Sequence, residues 1–126
     1  RTVKAGGISL NAGGGADLIA YAGHDGLLDF QLEETFTGPP TNTRQTIILA
    51  CLSKRYFAEH LRATGAEPLL WTTGLMAPEA YTLKAALEGW VRREKPAAIR
   101  ERAAAAYDKY QKCGINGARR LLVTGW

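Results

Sequence analysis

The chain has 126 residues, of which 46% are hydrophobic and 22% are charged, and its formal net charge is +4 at pH 7. This length and composition predict one globular domain, residues 1–126, around one core. No stretch approaches the roughly 18 consecutive apolar residues of a membrane-spanning helix, so we expect a soluble protein without a membrane partner. Acidic residues interrupt the basic runs, as in Arg92-Arg93-Glu94-Lys95, which argues against a nucleic-acid partner.

The amino-terminal part is rich in glycine between residues 4 and 15, which predicts turns or a flexible approach rather than regular structure. An apolar run then predicts a buried strand over residues 17–23. Residues 25–44 contain Gly38-Pro39-Pro40 and several Thr and Asn residues. They predict an exposed loop, with a small strand or hairpin at residues 27–32.

The remaining two thirds of the chain alternates between strand and helix patterns. We predict strands at 46–51, 68–73 and 120–125, a loop at 74–77, and helices at 53–64, from Pro78, and from Pro96 to Gly114. The second helix has an apolar line of Ala80, Leu83, Leu87, Trp90 and Val91, and the third directs Ile99, Ala103, Ala106, Tyr107 and Tyr110 inward. This order predicts an α/β fold with a mostly parallel sheet flanked by helices.

Two reactive side chains, His24 and Cys51, stand at the carboxyl ends of two predicted buried strands. Because chemistry in parallel sheets gathers at that end of the strands, neighbouring strands would bring an imidazole and a thiol into one crevice. Such a pair is a nucleophile with its base. Cys51 also directly precedes a predicted helix, whose amino-terminal N–H groups favour a thiolate. Gly26 allows the close approach that an oxyanion hole of main-chain N–H groups requires.

The number and spacing of the cysteines indicate the redox setting of this pair. Cys51 and Cys113 match neither a zinc spacing nor a dense disulfide framework, and the sequence leaves a disulfide between them open. A reduced, cytoplasmic setting fits better and keeps the Cys51 thiol available. No metal-ligand spacing is present, so we predict no metal and no cofactor.

Other residues near the expected crevice are candidates for substrate contacts. Asp25 belongs to an acidic cluster with Asp29, Glu33 and Glu34, which either selects a basic side chain by charge pairing or forms a solvated loop. Leu75 and Met76 follow the third predicted core strand, where they could form a wall of a substrate pocket. His60 falls on the apolar side of its helix and is predicted to be a packed or partly exposed histidine rather than a ligand.

The stretches Ala20-Tyr21-Ala22-Gly23-His24-Asp25-Gly26 and Ile47-Ile48-Leu49-Ala50-Cys51-Leu52-Ser53 resemble the caspase-like cysteine peptidases, including the bacterial CHAT domains, separase, clostripain and gingipain. Residues 65–80 are similar to the CHAT segment in which a Gly-Ala turn enters a strand, a loop and a helix. The resemblance covers roughly residues 17–91.

This resemblance implies a three-layer caspase-like sandwich and a cysteine endopeptidase acting on a peptide or protein substrate. His24 would be the base, Cys51 the nucleophile, and N–H groups near Gly26 and of Cys51 would bind the oxyanion. The family has strands before the His strand, and only about sixteen residues precede it here. We therefore expect residues 1–126 to be either a single domain of this kind or its carboxyl-terminal part, the latter completed by an N-terminal segment or a second chain.

Two other functions stay open on the sequence. A cysteine at the end of an apolar strand is more often part of a core than a catalyst. The family has Gly directly after His, whereas Asp25 separates His24 from Gly26 here. Both facts fit a non-catalytic interaction or regulatory module. An amidase or thioesterase could use the same two residues.

Overall fold

The computed structural model of the chain describes residues 1–38 and 43–126. The described residues form six strands, four α-helices and two short 3₁₀ turns at Gly13–Gly15 and Gly26–Leu28. In chain order the strands and helices are β1 (Thr2–Ala5), β2 (Ile8–Asn11), β3 (Leu18–Ala22), β4 (Gln45–Leu49), α1 (Ser53–Thr64), β5 (Glu67–Thr72), α2 (Ala80–Val91), α3 (Pro96–Gln111), α4 (Ile115–Leu121) and β6 (Leu122–Val123).

The main sheet has the strand order β3-β4-β5-β6. The β3/β4 and β4/β5 pairs are parallel, and β6 is antiparallel to β5. The register between β4 and β5 shifts by one residue after Thr46 pairs with Pro68, because Ile47 pairs with Leu70. Proline lacks the N–H that the ladder needs, so a bulge is the expected accommodation of Pro68 within a central strand.

Helices cover both faces of this sheet, which confirms the predicted α/β class. Ile47 and Leu49 of β4 belong to a core cluster with residues of α2, α3 and α4, such as Ala86, Ala103 and Ala118. Ile48 and Ala50 point to the other face and pack with residues of α1, such as Leu61. Side chains alternate along a strand, so a strand that is apolar throughout has both of its faces buried.

The three core strands and the three long helices lie where the sequence predicted them, with shifts of a residue or two at their ends. Helix α1 ends at Gly65, whose positive φ of 70° allows its N–H to bond back to the carbonyl of Arg62. Helix α2 approaches α3 closely at Gly89, where a Cβ atom would lie 3.0 Å from Ile99 Cγ1.

Several local predictions are wrong in the first third of the chain and near its last residues. Residues 2–11 form an antiparallel hairpin, β1/β2, instead of irregular turns. Residues 27–32 contain no strand, because the chain makes a 3₁₀ turn at Gly26–Leu28. The predicted last strand at 120–125 is reduced to Leu122–Val123, since α4 occupies the residues before it. Part of the predicted loop, residues 39–42, lies outside the described residues.

The inward faces of two helices also differ from prediction. Thr82, Ala86 and Gly89 are the buried residues of α2, while Ala80 and Val91 of the predicted line are exposed. Tyr110 of α3 is exposed and stacks on Tyr81, with ring centroids 4.2 Å apart. Strand β3, predicted to be buried, is mostly exposed and forms an edge of the sheet.

Candidate functional site

The carboxyl ends of β3 and β4 meet at one rim of the sheet. Each residue of β3 pairs with the residue 27 positions later in β4, from Leu18 with Gln45 to Ala22 with Leu49. The N–H of Gly23 continues the ladder by donating to the carbonyl oxygen of Leu49 at 3.1 Å. The same offset separates His24 from Cys51, so their backbones leave the sheet side by side, as the sequence predicted.

Cys51 lies in a sharp connection between β4 and α1. The next residue, Leu52, has a left-handed conformation with φ 53°, and α1 begins at Ser53. A non-glycine residue in that region costs about 1–2 kcal/mol, so other contacts must hold the turn. One of them is the N–H of Leu52, which donates to the carbonyl oxygen of Gly74 at 2.9 Å.

Two buried hydroxyl groups hold the same turn, and sequence reasoning did not single them out. The Ser53 hydroxyl donates to the Ile48 carbonyl oxygen at 2.8 Å and accepts from the Thr72 N–H at 2.9 Å. In return, the Ser53 N–H donates to Thr72 Oγ1 at 3.1 Å. The available signal was a small hydroxyl residue two positions after Cys51 and another near the end of the next core strand. These residues link the turn that contains Cys51 to β5.

The Cys51 sulfur contacts the loop after β5. The Met76 N–H donates to Sγ at 3.4 Å, and the thiol donates to the Met76 carbonyl oxygen at 3.5 Å. The Met76 side chain is in the core, with 8% of its surface exposed, so Met76 contributes backbone rather than a pocket wall to the site. Leu75, the other predicted wall residue, is 75% exposed.

The His24 ring is exposed and bonded to a neighbouring carboxylate. Its Nε2 lies 2.6 Å from Asp29 Oδ2, and the Tyr21 hydroxyl donates to the His24 carbonyl oxygen at 2.6 Å. No hydrogen bond joins His24 to Cys51 within the described parts of the chain. The structure therefore ends the two strands at one rim, while the His24 and Cys51 side chains contact different partners.

Asp25 and Gly26 shape the turn after His24. The Asp25 side chain is fully buried, and its Oδ1 accepts from the Leu27 N–H at 3.0 Å. Its Oδ2 has no partner among the described residues. Burial raises the pKa of this carboxyl, against lowering by the Leu27 N–H and by the charge of His24. In this conformation Asp25 caps a 3₁₀ turn, and contact with a substrate would require the side chain to turn outward.

Position 26 requires a small residue rather than the backbone freedom of glycine, because the φ of Gly26 is not positive. A Cβ atom there would lie 2.9 Å from Phe30 Cε1. The N–H groups of Gly26 and Cys51 donate to no other residue in the ranges 1–38 and 43–126. Their role in an oxyanion hole stays a prediction.

An apolar depression of about 320 Å³ adjoins the His24 turn on the α1 side of the sheet. Its lining includes Tyr21, Leu27, Phe30, Leu32, Phe57 and His60. The predicted packed role of His60 agrees with its half-buried side chain. The depression offers space for an apolar side chain beside Gly26 and Leu27, two and three residues after His24.

The described residues contain no group of three or more His, Cys, Asp or Glu side chains arranged to hold a metal ion. Cys51 and Cys113 are both free thiols. None of the described helices has the length and apolarity needed to cross a membrane.

No protein-family model matches the chain, and no curated protein or solved structure is significantly similar to it.

Proposed function

We propose that this chain carries the cysteine–histidine site of a caspase-like cysteine endopeptidase, with Cys51 as nucleophile and His24 as base and acid. The observation that carries the proposal is the shared rim of β3 and β4, where residues 24 and 51 leave adjacent parallel strands at the same level. Ligands and reactive groups concentrate at the carboxyl ends of such strands. A peptide or protein would be the substrate, and an N-terminal segment or a second chain would complete the domain.

The chemistry is acyl transfer. The Cys51 thiolate attacks the scissile carbonyl, and the negative charge develops on its oxygen beside the N–H groups of Gly26 and Cys51. Protonated His24 then gives its proton to the leaving amine, the C–N bond breaks, and an acyl thioester remains on Cys51. Water, deprotonated by His24, hydrolyses the thioester and restores the thiol.

The same residues supply the reason for a second candidate, a non-catalytic interaction module. The thiol is bonded to the Met76 backbone, and His24 is bonded to Asp29, so both side chains already have partners. For catalysis the His24 ring has to turn toward Cys51, with Asp29 within reach of the other ring nitrogen. In a non-catalytic interaction module, Cys51 keeps its hydrogen bonds to Met76 and His24 keeps its contact with Asp29.

An electrophilic peptide probe, a peptidyl acyloxymethyl ketone, separates the two candidates. We expect labelling at neutral pH that mass spectrometry locates on Cys51, that Cys51→Ala abolishes, and that His24→Ala slows by roughly 10²-fold or more, the effect of losing a general base.

The chain offers a matched control for each residue. Cys113→Ala removes the other free thiol, which is exposed, and His60→Ala removes the other histidine. Cys113→Ala should leave the rate unchanged, and His60→Ala, which alters the lining of the apolar depression, should slow labelling far less than His24→Ala does. Labelling confined to Cys113, or equal rates for His24→Ala and the unmodified chain, would instead support the module. Cleavage of a peptide library by the unlabelled protein distinguishes an endopeptidase from an amidase or thioesterase.

A further inference from the structure

Strand β3 exposes apolar side chains on both of its faces. Ile19 and Tyr21 are 41% and 45% exposed, and Ala20 and Ala22, which point to the opposite face, are also exposed. Among residues 1–38 and 43–126, only β4 pairs with β3, so one edge of β3 has no partner strand. A strand of this composition is typical of positions buried on both faces. It contains no charge, proline or bulge of the kind that protects an edge strand.

A second apolar surface lies on the outer side of α2. Ala80, Leu83, Leu87 and Val91 line a shallow depression there, and Val91 is 73% exposed. Because the opposite side of α2 packs into the core, this helix is apolar on two sides.

Helix α2 reaches the β3 side of the sheet. Trp90 Nε1 donates to Gln45 Oε1 at 2.8 Å, and Gln45 pairs with Leu18 of β3. Leu18 and Leu87 pack against the same core cluster. The open edge and the outer line of α2 therefore belong to one side of the molecule.

We propose that this side is an interface at which two copies of the chain associate about a two-fold axis, with their β3 strands antiparallel. The argument is self-complementarity. An axis at Ala20 places Ile19 opposite Tyr21 of the second copy, an aromatic and β-branched pair of the kind that stabilises antiparallel strands. It also places Leu18 opposite Ala22 of the second copy, a large residue opposite a small one. The two four-stranded sheets then form one sheet of eight strands.

The charges of α2 complement themselves in the same arrangement. Lys84 forms an ion pair with Glu88 in the same helix, and both side chains are partly exposed beside the apolar line. An antiparallel helix pair centred between positions 85 and 86 brings Lys84 near Glu88 of the second copy and Leu83 near Leu87 of the second copy. Like charges do not face each other in this register, so the apolar contact is formed without electrostatic repulsion.

Sedimentation velocity of the full chain between about 1 and 200 μM tests the proposal, this range covering weak and stable interfaces. We expect a concentration-dependent shift from the 13.7 kDa monomer to twice that mass. Ile19→Lys and Val91→Glu, both at exposed positions, should each raise the dissociation constant by about 30-fold or more, because each change occurs twice across the axis. Ile8→Lys on β2, where Ile8 is 64% exposed, is the matched control and should leave the constant unchanged.

A symmetric disulfide tests the register. Ala20→Cys, introduced with Cys51→Ala and Cys113→Ala, should oxidise to a covalent dimer, whereas Ala5→Cys at the hairpin should not. A monomer at 200 μM, undefined aggregates in place of a dimer, or a dimer that Ile8→Lys weakens as much as Ile19→Lys would overturn the proposal.

Discussion

The buried hydroxyl pair of Ser53 and Thr72 offers a sharp test of how the turn that contains Cys51 is held. Ser53 Oγ donates to the Ile48 carbonyl and accepts from the Thr72 N–H, while the Thr72 hydroxyl donates to the Ala50 carbonyl and accepts from the Ser53 N–H. Each hydroxyl has one proton, which its carbonyl already uses. The 3.1 Å contact between the two oxygens is therefore not an additional bond in this arrangement.

The cost of Ser53→Ala follows from these contacts. The Thr72 N–H loses its acceptor and the Ile48 carbonyl loses a donor, both in a fully buried region. A buried polar group left without its partner costs about 1–3 kcal/mol, so we expect the free energy of unfolding to fall by about 2–4 kcal/mol. That is a large share of the roughly 5–15 kcal/mol that stabilises a typical domain.

A double-mutant cycle shows whether the two hydroxyls act as one unit. Thr72→Val is nearly isosteric and removes the acceptor of the Ser53 N–H and the donor to Ala50. Because the residues bond to each other, we expect the combined loss to be smaller than the sum of the single losses by about 1 kcal/mol.

Urea unfolding followed by tryptophan fluorescence measures each variant, since Trp71 is fully buried and reports on the core. Ser9→Ala on β2 is the control, because the Ser9 side chain is exposed. A loss below about 0.5 kcal/mol for Ser53→Ala, the range of ordinary surface substitutions, would refute this account of the turn.

Three further variants test other features. Burial raises the pKa of the Asp25 carboxyl, so the stability from its protonated form is complete below the unfolded value near 3.8 and is lost as pH rises through the folded value. The Asp25→Asn variant cannot lose stability in this way, so its free energy of unfolding should rise relative to that of the unmodified chain as the pH increases from acid to neutral. Urea titrations in which the difference between the two free energies stays constant with pH would contradict this. Lys112 ends α3 with φ 56° and is exposed, so Lys112→Gly should add about 0.5–1 kcal/mol in the same assay; a loss would contradict the argument. Asp29→Asn should lower kcat for peptide hydrolysis about 10-fold with little change in KM, and Asp29→Glu should partly restore it, because the carboxylate orients His24; an unchanged kcat would exclude that role.

The centre of the fold was predictable because local and long-range signals agree there. The apolar run of β4 requires burial on both faces, and the helical spacing in residues 53–64 together with Gly65 fixes α1 to the residue. The amino-terminal hairpin was missed although its signal was present. Gly6 and Gly7 both have positive φ, and Ala5 pairs with Ile8 across them, which is the two-residue turn that Gly-Gly favours.

The errors elsewhere come from tertiary context that a single sequence does not contain. The residues around 120–125 are apolar enough for a strand, but burial of Ala118 extends α4 to Leu121 and leaves two residues for β6. The apolar line of α2 looked like a core face, whereas the helix buries Thr82, Ala86 and Gly89, small residues that let α3 come close. Periodicity gives the existence of a helix, and packing decides which side is covered.

For the candidate site, too, one part was predictable from the sequence and another part was not. Strand order and register depend on backbone pairing, and they placed the carboxyl ends of β3 and β4, which precede His24 and Cys51, at one rim. The partners of the side chains depend on torsion angles and on nearby polar groups. Asp29 was visible only as part of an acidic cluster, and the Met76 backbone has no signature in sequence at all.

Strand β3 connects the two proposals physically. It carries His24 at its end, and its other edge is the proposed interface, so the same five residues position the imidazole and meet the second copy. An edge strand bonded on one side opens more easily than a strand bonded on both sides, because fewer hydrogen bonds and apolar contacts hold it. Pairing of β3 with a second copy would therefore restrict the motion of His24 relative to Cys51. In the proposed peptidase, catalysis would depend on that geometry to within a fraction of an ångström, so covering this edge would stabilise the rim where the thiol and the imidazole would have to meet.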